Sequence, residues 1–212
     1  MIDLFLKGGA IMWPLLALSL VATAIVIERM IFILRESIAR NRKAAAAIFE
    51  CVEKGEFDSA VKLGSKSKDP VSRVLVYAMR NRACSLSSAL MRAANIELKR
   101  YNRGITILDT IVTLAPLLGL LGTVTGMIAA FGILGGSELD APTAITGGIA
   151  EALIATAFGL VIAIVSLLPF NYLNSRLDEI RHEIEDCGTQ LELLLMRQSL
   201  PENMRSRARE AA

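Results

Sequence analysis

The sequence predicts an all-α membrane protein with three transmembrane helices, the second and third prolonged into the cytoplasm as long helices, assembled as an oligomeric bundle. Two observations carry most of that reading. The 212 residues are 53% hydrophobic with a mean hydropathy of +0.50, too apolar for an average soluble chain of this size. The charges also avoid three segments. Gly8–Ile27 and Thr110–Ser137 hold none and Ala141–Ser175 holds Glu151 alone, so 83 residues share one charge while the other 129 carry 43.

Each segment supplies the roughly 20 apolar residues that cross a hydrocarbon core of about 30 Å. The first, with Lys7 before it, an apolar run from Ile11 and the small residues Ala22-Thr23-Ala24, also has the outline of a secretory signal peptide. The placement of basic residues argues against cleavage. Glu28–Arg103 carries 16 Lys and Arg against 8 acidic residues, the Gly135–Ala141 connection carries no base, and 6 bases follow Ser175. Basic flanks stay inside. The amino terminus is therefore outside, the long middle segment cytoplasmic, the short turn outside and the carboxyl end cytoplasmic.

Five regions follow: 1–34, the periplasmic amino terminus and first span; 35–103, a cytoplasmic helical region; 104–175, the second and third spans with their short turn; 176–200, a cytoplasmic helix; and 201–212, a disordered tail. Within the cytoplasmic region Arg42–Glu53 is Ala-rich and helical, Lys54-Gly55 breaks it, and Glu56–Leu63 resumes it. Gly64–Pro70 reads as a polar loop. Val71–Arg82 and Ser85–Arg103 read as further helices, and the second, with no breaker before Gly104, is expected to continue into the second span as one rod. At the carboxyl end Leu173, Leu177, Ile180, Ile184, Cys187, Leu191 and Leu194 keep a heptad spacing that prolongs the third span. Such a seam needs a partner, either its own chain's Ser85–Arg103 helix or another subunit.

Small residues dominate the second and third spans. Ala115, Gly119, Gly122 and Gly126 form one ridge; Gly148, Ala152 and Thr156 form another, beside Ala155, Gly159 and Ala163. Such ridges let helices approach closely in lipid, and the expected partners are other copies of the chain. Pro116 interrupts the second span and frees the carbonyl of Val112, which Thr113 or water could satisfy.

Glu151 is the anomaly. A carboxylate inside a span costs about 2.5 kcal/mol or more on insertion scales and usually faces a bundle interior or a water path. It is either a protonated acid hydrogen-bonded to a neighbouring helix or a proton-binding site, since a carboxyl group taken out of water holds its proton more tightly. Thr123 and Thr156 add hydroxyls at membrane depth that a water chain could use, although threonine also bonds to its own helix. Glu151 and Thr156, five residues apart, lie about 140° apart around a helix, so they share no narrow face. Asp109 is placed at the cytoplasmic mouth of the second span, as a wet residue or a helix-end ion pair.

Other function classes lack their residues. A net charge of +2 and 5% aromatic content give no nucleic-acid surface. Cys51, Cys84 and Cys187 suit neither a disulfide framework nor a metal site, and His182, near Asp178 and Asp186, belongs to a solvated face. No phosphate loop, nucleophile or embedded Ser-His or Asp-Asp pair is present, so no cofactor, metal or catalysis is expected.

Ala115-Pro116-Leu117-Leu118-Gly119-Leu120-Leu121-Gly122-Thr123-Val124, followed by Gly148-Ile149-Ala150-Glu151-Ala152-Leu153-Ile154-Ala155-Thr156-Ala157-Phe158-Gly159-Leu160, closely resembles the MotA/TolQ/ExbB proton-channel family. Ile27-Glu28-Arg29 and the stretch Lys54–Ala60 add to the likeness. Three spans and a glutamate at 151 resemble its ExbB and TolQ branch. The resemblance implies an inner-membrane pentamer around the spans of an ExbD- or TolR-like dimer, energising a TonB- or TolA-like protein. It makes Glu151 the pore glutamate and Thr123 and Thr156 accompanying polar residues of the proton pathway. The chain departs from better-known ExbB sequences at Asp109 and in its short amino terminus. An ExbB-like role comes first, with a TolQ-like role in envelope integrity and a non-conducting scaffold as alternatives.

Overall fold

The computed structural model describes residues 5, 7–40, 42–82, 85–132 and 141–199, so Cys84, the connection before Ala141 and the tail from 201 lie outside the described residues. The described chain is helical throughout: α1 (Met12–Ala39), α2 (Arg42–Glu53), α3 (Phe57–Lys66), α4 (Pro70–Arg80), α5 (Leu86–Asn102), α6 (Ile105–Gly132) and α7 (Ala141–Ser199). Among the described residues α1, α6 and α7 are long and apolar enough to cross a membrane. α7 counts 59 residues, well over the roughly 20 that one hydrocarbon core requires. The chain divides into two units, residues 1–30 with 104–174, and 31–103 with 175–212.

In the first unit the segment before α1 turns rather than spans. Met12 N–H donates to the Gly9 carbonyl at 3.2 Å, and Pro14 falls in the first helical turn, where its missing N–H costs nothing. Met12 and Leu15 are 1% exposed and pack with Ala115 and Ala163. The small ridges of α6 and α7 lie against each other within the chain. A Cβ on Gly126 would sit 3.0 Å from the Ala152 Cβ, one on Gly122 2.5 Å from the Ala155 Cβ, and one on Gly148 2.5 Å from the Ala130 Cβ. The reason is contour: one glycine ridge leaves a groove that the facing ridge fills. Pro116 leaves α6 unbroken, and the Thr113 hydroxyl donates to Asp109 and Thr110 carbonyls at 3.2 and 3.0 Å, not to Val112.

The expected rod into the second span is not continuous. α5 stops at Asn102, and Gly104 takes a φ of +82° before α6 begins, a backbone state that glycine reaches freely. The Gly64–Pro70 loop is shorter than expected, because Gly64, Ser65 and Lys66 belong to α3. A Cβ on Gly64 would fall 2.3 Å from Val76 and 2.9 Å from Ile48, so this glycine is used for close approach.

The second unit is a helical cluster built on larger side chains. Ile48, Val52, Val74, Leu75 and Leu191 are 0–1% exposed. Asp69 caps α4, accepting from Ser72 N–H at 2.9 Å with Pro70 following, and Ser85 caps α5 by accepting from Ser88 N–H at 3.3 Å. Along the carboxyl-terminal seam Leu177, Ile180, Ile184 and Leu191 are buried and Cys187 and Leu194 half-buried, all within a single chain. Leu90 of α5 approaches this seam beside Gly188.

Candidate functional site

Glu151 stands ten residues after the start of α7 and is half-buried. Its neighbour Ala152 packs on Gly126, six residues before α6 ends, which puts this level about 9 Å from that helix end. The carboxyl group lies against Gly9, in the turn that precedes α1. It makes no hydrogen bond or ion pair with any described residue.

Thr156 sits on the other face of α7, as the five-residue spacing requires. Its hydroxyl donates 2.9 Å to the Gly119 carbonyl, tying α7 to α6. A Cβ on Gly119 would lie 3.0 Å from the Thr156 Cα, and one on Gly159 2.5 Å from the Ala115 carbonyl oxygen, so backbones nearly touch around this bond. Thr123 turns its hydroxyl back on its own helix, donating 2.6 Å to Leu120. It lines an open groove with Val124, Met127, Ile128 and Phe131. One chain therefore presents an acid, an interhelical clip and a groove hydroxyl on three separate faces, and no hydrogen bond joins any two of them. Asp109 is exposed one turn into α6, and His182 is exposed with Nδ1 2.7 Å from the Asp178 carbonyl. Among the described residues no cluster of His, Cys, Asp and Glu could hold a metal ion.

The structure adds residues that spacing did not reveal. Gly9 is one, signalled in sequence only by the Gly8-Gly9 pair before the span. A second group lies in the other unit, where Arg73 pairs with Glu36 at 2.7 Å and Glu97 at 3.0 Å, and Arg100 also reaches Glu97 at 2.9 Å. Tyr101 is buried beside them, its ring edge-on to Phe32 at 5.3 Å. Burial first, and the Glu36 charge second, push its hydroxyl above the ordinary tyrosine range, so it stays protonated. Arg40 pairs with Glu179 and Glu183. Hydrogen bonds from Arg176 and then Arg40 hold the Glu179 carboxyl below its ordinary value. These carboxylates are neutralised by arginines, which suits clamping helices together more than passing protons.

The family described as the MotA/TolQ/ExbB proton channel family matches residues 66–186, which contain α6, the spanning part of α7 and Glu151. The chain is 37% identical over 202 residues to the biopolymer transport protein ExbB-like 1 of Synechocystis sp., covering 92% of this chain and 78% of that one. It is 32% identical over 129 residues to the biopolymer transport protein ExbB of Neisseria gonorrhoeae, covering 61% and 54%. It is 34% identical over 111 residues to the Tol-Pal system protein TolQ of Haemophilus influenzae, covering 52% and 49%.

Proposed function

The chain belongs to the MotA/TolQ/ExbB proton channel family, and from that premise we propose that it is an ExbB-like subunit of an inner-membrane motor driven by protons. The observation that carries the reading is Glu151, the one charge in the apolar stretch of α7, which lies inside the family-matched region and has no ionic partner among the described residues. An acid kept in a span at the cost of insertion is retained for what it binds, and a proton is the ligand a lone carboxyl takes.

In this reading five copies surround the spans of an ExbD- or TolR-like dimer, and a TonB- or TolA-like protein receives the force. Protons pass between Glu151 and the partner's spans, with Thr123 and Thr156 as polar steps. Gly119, Gly122, Gly126, Gly148, Ala152 and Gly159 keep α6 and α7 rigid behind that path. The amino terminus faces the periplasm, and residues 35–103 and 176–200 face the cytoplasm. One charge crossing 100 mV releases about 2.3 kcal/mol, so a few protons drive a sizeable conformational step. The test is proton flux into vesicles holding both proteins. Glu151→Gln should abolish flux while leaving assembly intact; retained flux sinks the proposal. A scaffold would instead tolerate Glu151→Gln and lose assembly with Glu151→Leu.

A further inference from the structure

We infer that the turn before α1 is a cap on Glu151 and that Gly9 is a positioning residue for its carboxyl group. The inference rests on the proton-carrying reading of Glu151. Gly9 has a φ of +72°, in the left-handed region that a side chain disfavours by about 1–2 kcal/mol. Space makes the same demand independently. A Cβ on Gly9 would fall 1.7 Å from the Glu151 Oε1 and 2.8 Å from its Cδ. The carboxyl group thus occupies the volume that a side chain at position 9 would need.

The turn is itself built. Gly8 N–H donates to the Phe5 carbonyl at 3.1 Å, and Trp13 N–H to the Ala10 carbonyl at 3.3 Å. Phe5 meets Trp13 edge-on with ring centroids 5.7 Å apart, a clasp between the approach to the turn and the helix after it. Gly8 is buried, and a Cβ there would lie 2.6 Å from the Met12 side chain and 3.2 Å from Ile154, one turn past Glu151 on α7. Met12 and Leu15 fix the helix that follows. Among the described residues no polar partner holds the carboxyl, and packing against Gly9 sets its position. Gly9 covers the carboxyl group on the side at which α1 begins, and opening the turn widens the exposure of an acid that is otherwise half-buried.

The experiment is modification of Glu151 in the full chain, in lipid vesicles, by a water-soluble carbodiimide added from outside and read by mass spectrometry. Gly9→Ala should label about tenfold faster than the parent, the factor that some 1.4 kcal/mol of backbone strain confers on an opening equilibrium. Phe5→Ala, which loosens the clasp without adding atoms near the carboxyl, should move the rate in the same direction by less. Glu151→Asp withdraws the acid by one methylene, so adding Gly9→Ala to it should raise carboxyl labelling by much less than the tenfold expected beside glutamate. Unchanged labelling in Gly9→Ala and Phe5→Ala proteins that insert and assemble normally overturns the inference. So does an equal rise at Glu97 when the same proteins are labelled in detergent, where both ends are accessible, which would report general loosening. Labelling is read without proton flow. A Glu151→Gln variant that kept flux would therefore remove the functional reading and leave the cap to be judged on its own.

Discussion

Where α6 meets α7 in the first unit, the contact surface is glycine and alanine; in the second unit the helices meet on leucine, isoleucine and valine. In the first unit, large side chains on the other faces of α6 and α7 turn outward, with Leu117, Ile128, Val165 and Leu168 all more than 60% exposed, while Met12, Leu15, Leu108 and Ile111 stay buried. The second buries Ile48, Val52, Val74, Leu75 and Leu191 almost completely and gathers arginine–carboxylate pairs around them. The difference follows from the solvent each was selected for. Lipid offers no gain for hiding leucine, so spans are joined by close backbone approach and an occasional hydrogen bond. Water rewards burying apolar area at about 25 cal/mol per Å², so the other unit is joined by large side chains.

The largest effect that would sharpen this contrast is expected at Leu75, fully buried on α4. Leu75→Ala should cost the second unit about 3 kcal/mol, measured as loss of protease resistance over α2–α5, and should leave the spans intact. Next comes Gly159→Ala, whose new methyl would meet a carbonyl oxygen of α6 at 2.5 Å. It should weaken the α6–α7 contact by about 2 kcal/mol, seen as a lower thermal midpoint in detergent. Gly147→Ala on the same helix meets nothing within 4 Å and should be neutral or slightly stabilising. If the two alanines behaved alike, close approach would not be what joins the spans. The smallest effect is expected from Thr156→Val, which removes one interhelical hydrogen bond and should cost about 0.6 kcal/mol in the same assay. A cost equal to that of Gly159→Ala would transfer the main role from packing to the hydroxyl.

Several features were legible because they repeat along one helix. The heptad seam from Leu173 to Leu194, the small ridges of α6 and α7 and the opposed faces of Glu151 and Thr156 are spacings a reader can count. What could not be read was the partner of each face. Spacing leaves Thr156 open between a water chain and a bond to its own helix, and in the structure it bonds to a carbonyl 37 positions away. Glu36, Arg73 and Glu97 come from three different helices, and nothing local distinguishes them from solvated charges.

Composition and periodicity alone determined that there are three spans, roughly where they lie, and that a single acid is kept among them. Those are properties of hydropathy and helical geometry, each set by neighbouring residues. Only the tertiary structure decided that the small ridges meet within one chain, that Gly104 ends a rod the spacing would have let run, and that Gly9 lies under Glu151. The break at Gly104 is a local backbone state, but the other two depend on segments distant in the chain filling one volume, and a steric fit of that kind leaves no periodic mark on either segment.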